Sequence, residues 1–146
     1  MQSGPTGRKR NSQRKYYNYL KNIPKDCPFC AFREGDNTQV KERFTNFMFV
    51  ANNFKYDHWD GEGVSEHMMI IPNRHIESIS EMNDAEASEY LKLIRHYDKL
   101  GYSFYARSKH NKEKSVNHQH THLLKLDGNH KKILLYIRKP HFLLYY

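Results

Sequence analysis

The sequence contains few cysteines and no long apolar run. Its 146 residues include two cysteines, Cys27 and Cys30. The polar, basic N-terminus is not followed by the apolar stretch of a secretory signal, and no segment approaches the roughly 20 apolar residues that span a bilayer. We therefore expect a cytoplasmic protein without a membrane partner, in which a structural disulfide is disfavoured.

Acidic residues are absent from the first 15 positions. The basic residues of this stretch are Arg8, Lys9, Arg10, Arg14 and Lys15. They supply five of the 24 basic residues in a chain whose formal net charge is +8, so the rest of the chain is only mildly basic. We predict a disordered basic leader over residues 1–13 and a single domain over 14–146. The leader suits a solvated extension, or contact with nucleic acid.

The hydrophobic pattern predicts an α+β protein, with a mostly antiparallel sheet of about five strands. Strands are predicted over 43–52, 67–71 and 102–106, over the histidine segment 115–126, and as short β candidates over 133–137 and 141–145. Residues 53–65 and 107–114 contain loop residues. Asp127, Gly128 and Asn129 together are typical of a turn.

One long helix is predicted over about residues 84–100. Asn83 can cap its first turn, and Glu86 is placed to complete a capping box. Apolar residues then recur at helical spacing, and Gly101 suits the C-terminal cap. A shorter ordered segment, starting near Tyr16, is expected to form an N-terminal helix that leads into the cysteines.

Three histidines, His118, His120 and His122, occupy alternate positions. On a β-strand, side chains alternate between faces with period two, so all three imidazoles would share one face. Apolar packing alone would not select three titratable rings for one surface. Imidazole binds metal, moves protons or acts as a nucleophile near neutral pH, which makes this segment the strongest functional signal.

Three other elements are ambiguous by themselves. The Cys27–Cys30 pair is compatible with half of a metal site, a redox pair or two ordinary thiols. His67 can be a hydrogen-bonded histidine at a strand end. His75 can be a surface residue after the proline turn.

Taken together, these elements resemble the histidine triad superfamily of nucleotidyl hydrolases and transferases. The segment 115–124, SVNHQHTHLL, matches the pattern of a Ser-Val pair followed by His-x-His-x-His. The segment 67–75, HMMIIPNRH, matches a histidine, an apolar strand, a proline and a second histidine before the helix. The order of elements is also that of the superfamily, and the resemblance covers roughly residues 27–126.

The resemblance implies a catalytic role for three histidines. His120 would attack the α-phosphorus of a nucleotide and form a nucleotidyl-histidine, while His122 and His67 would contact phosphate or leaving-group oxygens. Ser115 matches a phosphate-binding position, and Asn53 or its neighbour Asn52 lies near the ribose contacts. Substrates would be nucleoside phosphoramidates, dinucleoside polyphosphates or adenylylated ends. A homodimer is common in the superfamily, although no residue of this sequence is evidence for one.

The resemblance also implies a structural zinc ion. Some branches, and the related galactose-1-phosphate uridylyltransferases, bind zinc through positions that correspond here to Cys27, Cys30, His75 and His118. Four protein ligands leave no open coordination position, so such a zinc would be structural. The alternative is a reduced, metal-free pair of thiols.

The sequence departs from the superfamily beside the triad. Many members have a glycine-rich stretch before the Ser-Val pair, whereas residues 111–114 here are charged and contain no glycine. A loop without glycine brings its backbone less easily against a phosphate, so we expect Arg107, Lys112 or Lys114 to supply positive side-chain contacts. Gln119 and Thr121 are more polar than usual, and we expect their strand face to be less buried.

Two alternatives to an enzyme are consistent with these departures. The first is a nucleotide- or RNA-binding zinc module with little turnover, in which the basic leader and the 11 tyrosines contact bases. The second is a zinc protein whose histidines are purely structural.

Overall fold

A computed structural model describes residues 7–22, 25–33, 37–130, 134–136 and 143–145. Its helices are α1 (Arg10–Lys21) and α2 (Asp84–Lys99), and short 3₁₀ turns cover Cys30–Arg33 and Ile79–Glu81. Its strands are β1 (Val40–Arg43), β2 (Phe47–Ala51), β3 (His58–Trp59), β4 (Glu62–Pro72), β5 (Ser103–Ala106), β6 (Thr121–His130), β7 (Leu134–Tyr136) and β8 (Leu143–Tyr145). Among these helices, none is long and apolar enough to cross a membrane.

The described strands form one antiparallel sheet and one small hairpin. The sheet has the order β1-β2-β4-β6-β5, and β3 pairs with β4 at its side. Strands β7 and β8 pair with each other in a separate sheet. The predicted α+β class and antiparallel sheet are confirmed. The rest of the predicted segments 133–137 and 141–145 lies outside the described residues.

Alternate residues of a strand point to opposite sides of the sheet, and different elements pack on its two faces. On one face, α2 packs Leu93, Ile94 and Tyr97 against Phe47 and Leu123. The opposite face packs under the segment that contains the cysteines. Its apolar cluster includes Phe29, Phe32, Met48, Met69 and Ile71. The central strand β4 is therefore buried on both sides near its end, which explains its continuous apolar run.

Helix α2 begins and ends as predicted. The Asn83 side chain accepts from the Glu86 backbone N–H, and the Glu86 carboxylate accepts from the Asn83 N–H, so the capping box is complete. Gly101 follows the helix with a φ of 83°, a left-handed conformation that glycine adopts without strain.

The N-terminal helix starts earlier than the predicted position near Tyr16. Helix α1 begins at Arg10, within the predicted disordered leader. Before it, Gly7 forms an isolated antiparallel bridge with His58. Aromatic and arginine side chains of this segment pack on the domain, as described below. Residues 1–6 of the predicted leader lie outside the described residues.

Two predicted irregular segments are partly strand. Within the predicted loop 53–65, Asp60 and Gly61 both have positive φ and connect β3 to β4 in a two-residue hairpin, for which Asp-Gly is a preferred sequence. The predicted turn at 127–129 is wrong, because β6 continues to His130. Gly128, with a φ of 72°, lies instead where the register of β4 and β6 shifts.

Candidate functional site

The alternating histidines lie where an extended segment enters β6. His118 and His120 precede the strand, and only His122 belongs to it. All three side chains are buried. The predicted strand over 115–126 is therefore confirmed only from residue 121 onward. Because His118 and His120 lie outside the strand, their side chains need not share the face that His122 occupies.

The prediction that Gln119 and Thr121 lie on a less buried face is wrong, since each is 2% exposed. The amide oxygen of Gln119 accepts from the Lys114 Nζ at 3.0 Å. The Thr121 hydroxyl is 2.8 Å from the hydroxyl of Tyr90 on α2. Their polarity is compatible with burial because each polar group has a hydrogen-bond partner.

The four predicted metal ligands lie together. The ligand atoms of Cys27, Cys30, His75 and His118 are all within 4.8 Å of one another. The Cys30 Sγ is 3.2 Å from the Nδ1 of His75, and the Cys27 Sγ is 3.5 Å from the Nδ1 of His118. Sulfur and nitrogen ligands of a tetrahedral zinc ion are about 3.5 Å apart, given the usual bond lengths. The cluster therefore has the donor set and the spacing of a structural zinc site.

His118 is oriented for ligation by a hydrogen bond on its far side. Its Nε2 is 2.9 Å from the carbonyl of Pro72, and a carbonyl only accepts, so the proton is on Nε2. The Nδ1 lone pair then faces the two sulfur atoms. Such an outer hydrogen bond fixes the tautomer of a metal-binding histidine. The Pro72 carbonyl can supply it because β4 ends beside this segment.

His120 has the opposite arrangement of its two nitrogens. Its Nδ1 is 2.8 Å from the His118 carbonyl, to which it must donate, so Nε2 keeps its lone pair. The ring packs edge-on against Phe29, with centroids 5.1 Å apart. Burial lowers the pKa of His120 to about 4, so the imidazole is neutral at neutral pH. A neutral, oriented imidazole with a free lone pair is a competent nucleophile.

A chain of hydrogen bonds fixes the tautomer of His122. The Tyr56 backbone N–H donates to the Nδ1 of His67, so the His67 proton is on Nε2. The Asn52 amide nitrogen, 3.1 Å from this Nε2, is itself a donor, so the Nε2–H donates to the Nδ1 of His122 at 2.9 Å. His122 therefore carries its own proton on Nε2. Burial lowers its pKa well below the ordinary value, so it is a neutral hydrogen-bond donor.

A cavity of about 240 Å³ opens beside His120 and His122, and we call it the histidine cavity. Apolar and aromatic residues form much of its wall: Tyr16, Tyr19, Phe29, Phe32, Phe54, Tyr56 and Met69. Polar side chains also line it: Arg8, Gln39, Asn52, Asn53, Arg107 and Ser115. A mixture of aromatic walls and a few polar groups is typical of a small-molecule site.

The predicted substrate-binding residues Ser115, Asn53 and Arg107 line this cavity. His67 does not line it, although a substrate contact was expected. The residue is 4% exposed and lies one layer behind His122. The Nζ of Lys114, another expected cation, donates to the Glu77 carbonyl and to Gln119.

Sequence reasoning missed the contribution of the N-terminal segment to the cavity. Arg8 donates from Nε and Nη2 to the Phe54 carbonyl, at 3.0 and 2.9 Å. Its guanidinium lies over the rings of Tyr16 and Tyr56, 4.0 and 4.7 Å from their centroids. Tyr19 packs on Phe54, with centroids 4.7 Å apart. The spacing of Tyr16, Tyr19 and Leu20 was a sequence signal for a packed helical face.

Comparison of the fold with solved structures finds histidine triad proteins. One is a histidine triad family hydrolase from Legionella pneumophila, which is 22% identical, with a TM-score of 0.54, 73% of this chain covered and 96% of that one. Another is a zinc-bound histidine triad family protein from Mycobacterium smegmatis, with 16% identity, a TM-score of 0.53, and coverage of 71% and 78%. A histidine triad nucleotide-binding protein from Candida albicans has 18% identity, a TM-score of 0.55, and coverage of 82% and 86%.

The chain therefore has the histidine triad fold, as the sequence resemblance implied. No protein-family model matches the sequence, and no curated protein matches it.

Proposed function

We propose that this protein is a nucleotidyl hydrolase or transferase in which His120 is the nucleophile and Cys27, Cys30, His75 and His118 hold a structural zinc ion. The observation that carries the proposal is the hydrogen bond from the His120 Nδ1–H to the His118 carbonyl, which leaves Nε2 as the free nitrogen. Similarity to histidine triad hydrolases supports the same chemistry.

In the first step, the lone pair on the His120 Nε2 forms a bond to the α-phosphorus of a bound nucleotide. The bond from phosphorus to the leaving group breaks, and its electron pair departs with that group. The nucleotidyl-imidazole carries a positive charge, which the His118 carbonyl stabilises through the Nδ1–H. The Nε2–H of His122 donates to an oxygen on which negative charge develops.

In the second step, water or another hydroxyl attacks the same phosphorus. The nitrogen–phosphorus electron pair returns to the His120 Nε2, and the proton of the attacking hydroxyl is released to solvent. With water the product is a nucleoside monophosphate, and with another acceptor it is a transferred nucleotide. The neutral imidazole is regenerated with its proton still on Nδ1.

The cavity walls support a nucleotide as the substrate. Phe54, Tyr16 and Tyr19 form an aromatic group on which a base can stack. Asn53 and Ser115 are exposed at the cavity and can bind ribose and phosphate. Candidate substrates are nucleoside phosphoramidates, dinucleoside polyphosphates and adenylylated ends.

Zinc in this protein would supply structure alone, because four protein ligands leave no coordination position for a substrate. Its ligands connect the turn at Cys27 and Cys30, the end of β4 through His75, and the triad segment through His118. The residue that ligates zinc thus also presents the carbonyl that orients His120. The zinc-bound structural relative supports this assignment.

Turnover assays with His120→Asn test the catalytic proposal. Asparagine retains a side-chain donor for the His118 carbonyl but offers no nucleophilic nitrogen. We expect turnover of at least one of the three substrate classes by the native protein and a loss of about 10³-fold or more in the variant. His110→Ala, at an exposed loop position, should retain native activity. Turnover that survives His120→Asn would contradict the assignment of the nucleophile.

A second candidate function is nucleic-acid binding through α1. Arg14, Lys15 and Lys21 are exposed on this helix, which contains no acidic residue. Such a surface binds phosphates with an affinity that falls steeply as salt is added. Binding of single-stranded RNA that Arg14→Ser and Lys15→Ser weaken, without turnover of any nucleotide, would favour this candidate over the enzyme.

A further inference from the structure

Two arginines from distant parts of the chain meet in the histidine cavity. Arg8 precedes α1, and Arg107 follows β5, 99 positions later. Both contact Tyr56: Arg8 lies over its ring, and Arg107 donates from Nη1 to its hydroxyl at 3.0 Å. Both side chains are half-buried, so placing their two positive charges here carries a desolvation cost.

No carboxylate within the described residues forms an ion pair with either guanidinium, although carboxylates elsewhere in that part of the chain pair with lysine and arginine side chains. The Nε of Arg107 is buried without a hydrogen-bond partner among the described atoms. Arg8 uses one edge, Nε and Nη2, for the Phe54 carbonyl. Asp57 attracts Arg8 from beyond ion-pair distance and accepts from the Lys9 N–H. Two half-buried cations with no carboxylate in ion-pair contact are suited to an anionic ligand.

The arginine pair lies beside the reacting groups. The Nη1 of Arg107 is 3.5 Å from the Nε2 of His122, and both nitrogens are donors. Two donors this close cannot satisfy each other, but both can donate to oxygen atoms of one phosphate group. A negatively charged group bound by these two donors would therefore lie next to the phosphorus that His120 attacks.

We propose that Arg8 and Arg107 form a subsite for an anionic leaving group, and that they select nucleotides whose α-phosphorus is linked through oxygen to further phosphate. This inference rests on the proposed function and specifies its substrate class. Phosphoramidates, whose leaving group is an amine, are then the poorer substrates.

The chemistry of the leaving group also favours a polyphosphate over a phosphoramidate. When His120 attacks a polyphosphate, the P–O bond breaks and its electron pair remains on the leaving phosphate oxygen as an anion, which needs no proton. When it attacks a phosphoramidate, the departing amine must take up a proton. Neutral His122 is a hydrogen-bond donor and a weak acid, since it has only its Nε2 proton to give.

The first measurement is the ratio of two kcat/KM values, for diadenosine tetraphosphate and for adenosine 5′-phosphoramidate. We expect the native ratio to favour the polyphosphate and to fall by about tenfold or more in Arg8→Gln, the loss expected for a charge-assisted contact. Arg8→Lys, which keeps the charge, should recover part of the ratio. Arg95→Gln, at an exposed arginine on α2, should leave the ratio unchanged. An equal fall for both substrates in Arg8→Gln would overturn the subsite.

The second measurement is calorimetric binding of inorganic tripolyphosphate, which requires no turnover. We expect binding that weakens about tenfold in Arg8→Gln and in Arg107→Gln, and that is unchanged in Arg95→Gln. If no substrate turns over but this pattern holds, the proposed function fails while the anion subsite stands. If turnover depends on His120 but tripolyphosphate binding is unaffected by both arginine variants, the subsite is wrong and the enzyme stands.

Discussion

The Nδ1–H of His120 donates to the backbone carbonyl of His118, 2.8 Å away. His118 in turn donates from Nε2 to the Pro72 carbonyl and presents Nδ1 to the two cysteines. The proposed nucleophile is thus aimed by the backbone of a proposed zinc ligand. Metal binding and catalysis are predicted to depend on each other through this one residue.

Loss of a metal ligand should therefore reduce both stability and activity. We expect Cys30→Ser to lower the zinc content from one atom per chain toward zero and to lower the free energy of unfolding by on the order of 4 kcal/mol, because metal sites are among the costliest features to lose. Metal analysis and urea unfolding measure the two effects. Native zinc content and activity in Cys30→Ser would show that this cluster is not the metal site.

His67 should act by positioning His122. We expect His67→Ala to lower kcat by about tenfold or more with little change in KM, because the tautomer of His122 is then no longer fixed. His67→Gln restores a side-chain donor and should recover part of the rate. A large rise in KM with unchanged kcat would instead indicate that His67 contacts the substrate directly.

Folding stability should decline as the pH falls below 6.5. Burial lowers the pKa of His67 from 6.5 to about 3. Between these values the unfolded chain binds a proton that the folded protein excludes, so stability is complete above pH 6.5 and is lost progressively toward pH 3. The slope is at most ~1.4 kcal/mol per pH unit for one such group.

Urea unfolding at several pH values between 7.5 and 5 measures this dependence. His67→Gln removes one titrating group and should flatten the curve relative to the native protein. Curves that remain parallel in this range would show that His67 is not held neutral in the fold.

The capping box of α2 offers a test of the fold that is separate from the site. Asn83→Ala should lower the free energy of unfolding by ~1 kcal/mol, because a backbone N–H at the helix start loses its acceptor. Asn83→Asp keeps an acceptor and should be close to native. Helix α2 covers the sheet face opposite the cysteine segment, so kcat should be unchanged in both variants. A tenfold loss of activity would indicate coupling between the faces.

The sequence was most informative where local chemistry decides structure. The Asn83–Glu86 capping box and Gly101 are local signals, and α2 begins and ends where they indicate. The set Cys27, Cys30, His75 and His118 was implied by the resemblance to zinc-binding histidine triad proteins, and the structure brings the four side chains together. Both features depend on few residues, each with a specific chemical requirement.

Other features depend on tertiary packing, which a single sequence does not display. Nothing in the basic residues before position 16 indicated a tertiary contact, whereas Arg8 donates to the Phe54 carbonyl and lies over two aromatic rings. The polarity of Gln119 and Thr121 suggested exposure, but distant partners satisfy both side chains. Asp60-Gly61, by contrast, was a local hairpin signal that the loop prediction overlooked.

In the proposed reaction the His120 Nε2 becomes covalently bonded to phosphorus. The most direct test detects this covalent adduct. The protein is mixed rapidly with a nucleotide that it turns over, the reaction is quenched with alkali, and the peptides are analysed by mass spectrometry. We expect a mass increase of one nucleoside monophosphate residue on the peptide that contains His120, assigned to that side chain and absent from His120→Asn. Efficient turnover with no adduct at any time point, or an adduct on His122 or another residue, would contradict it.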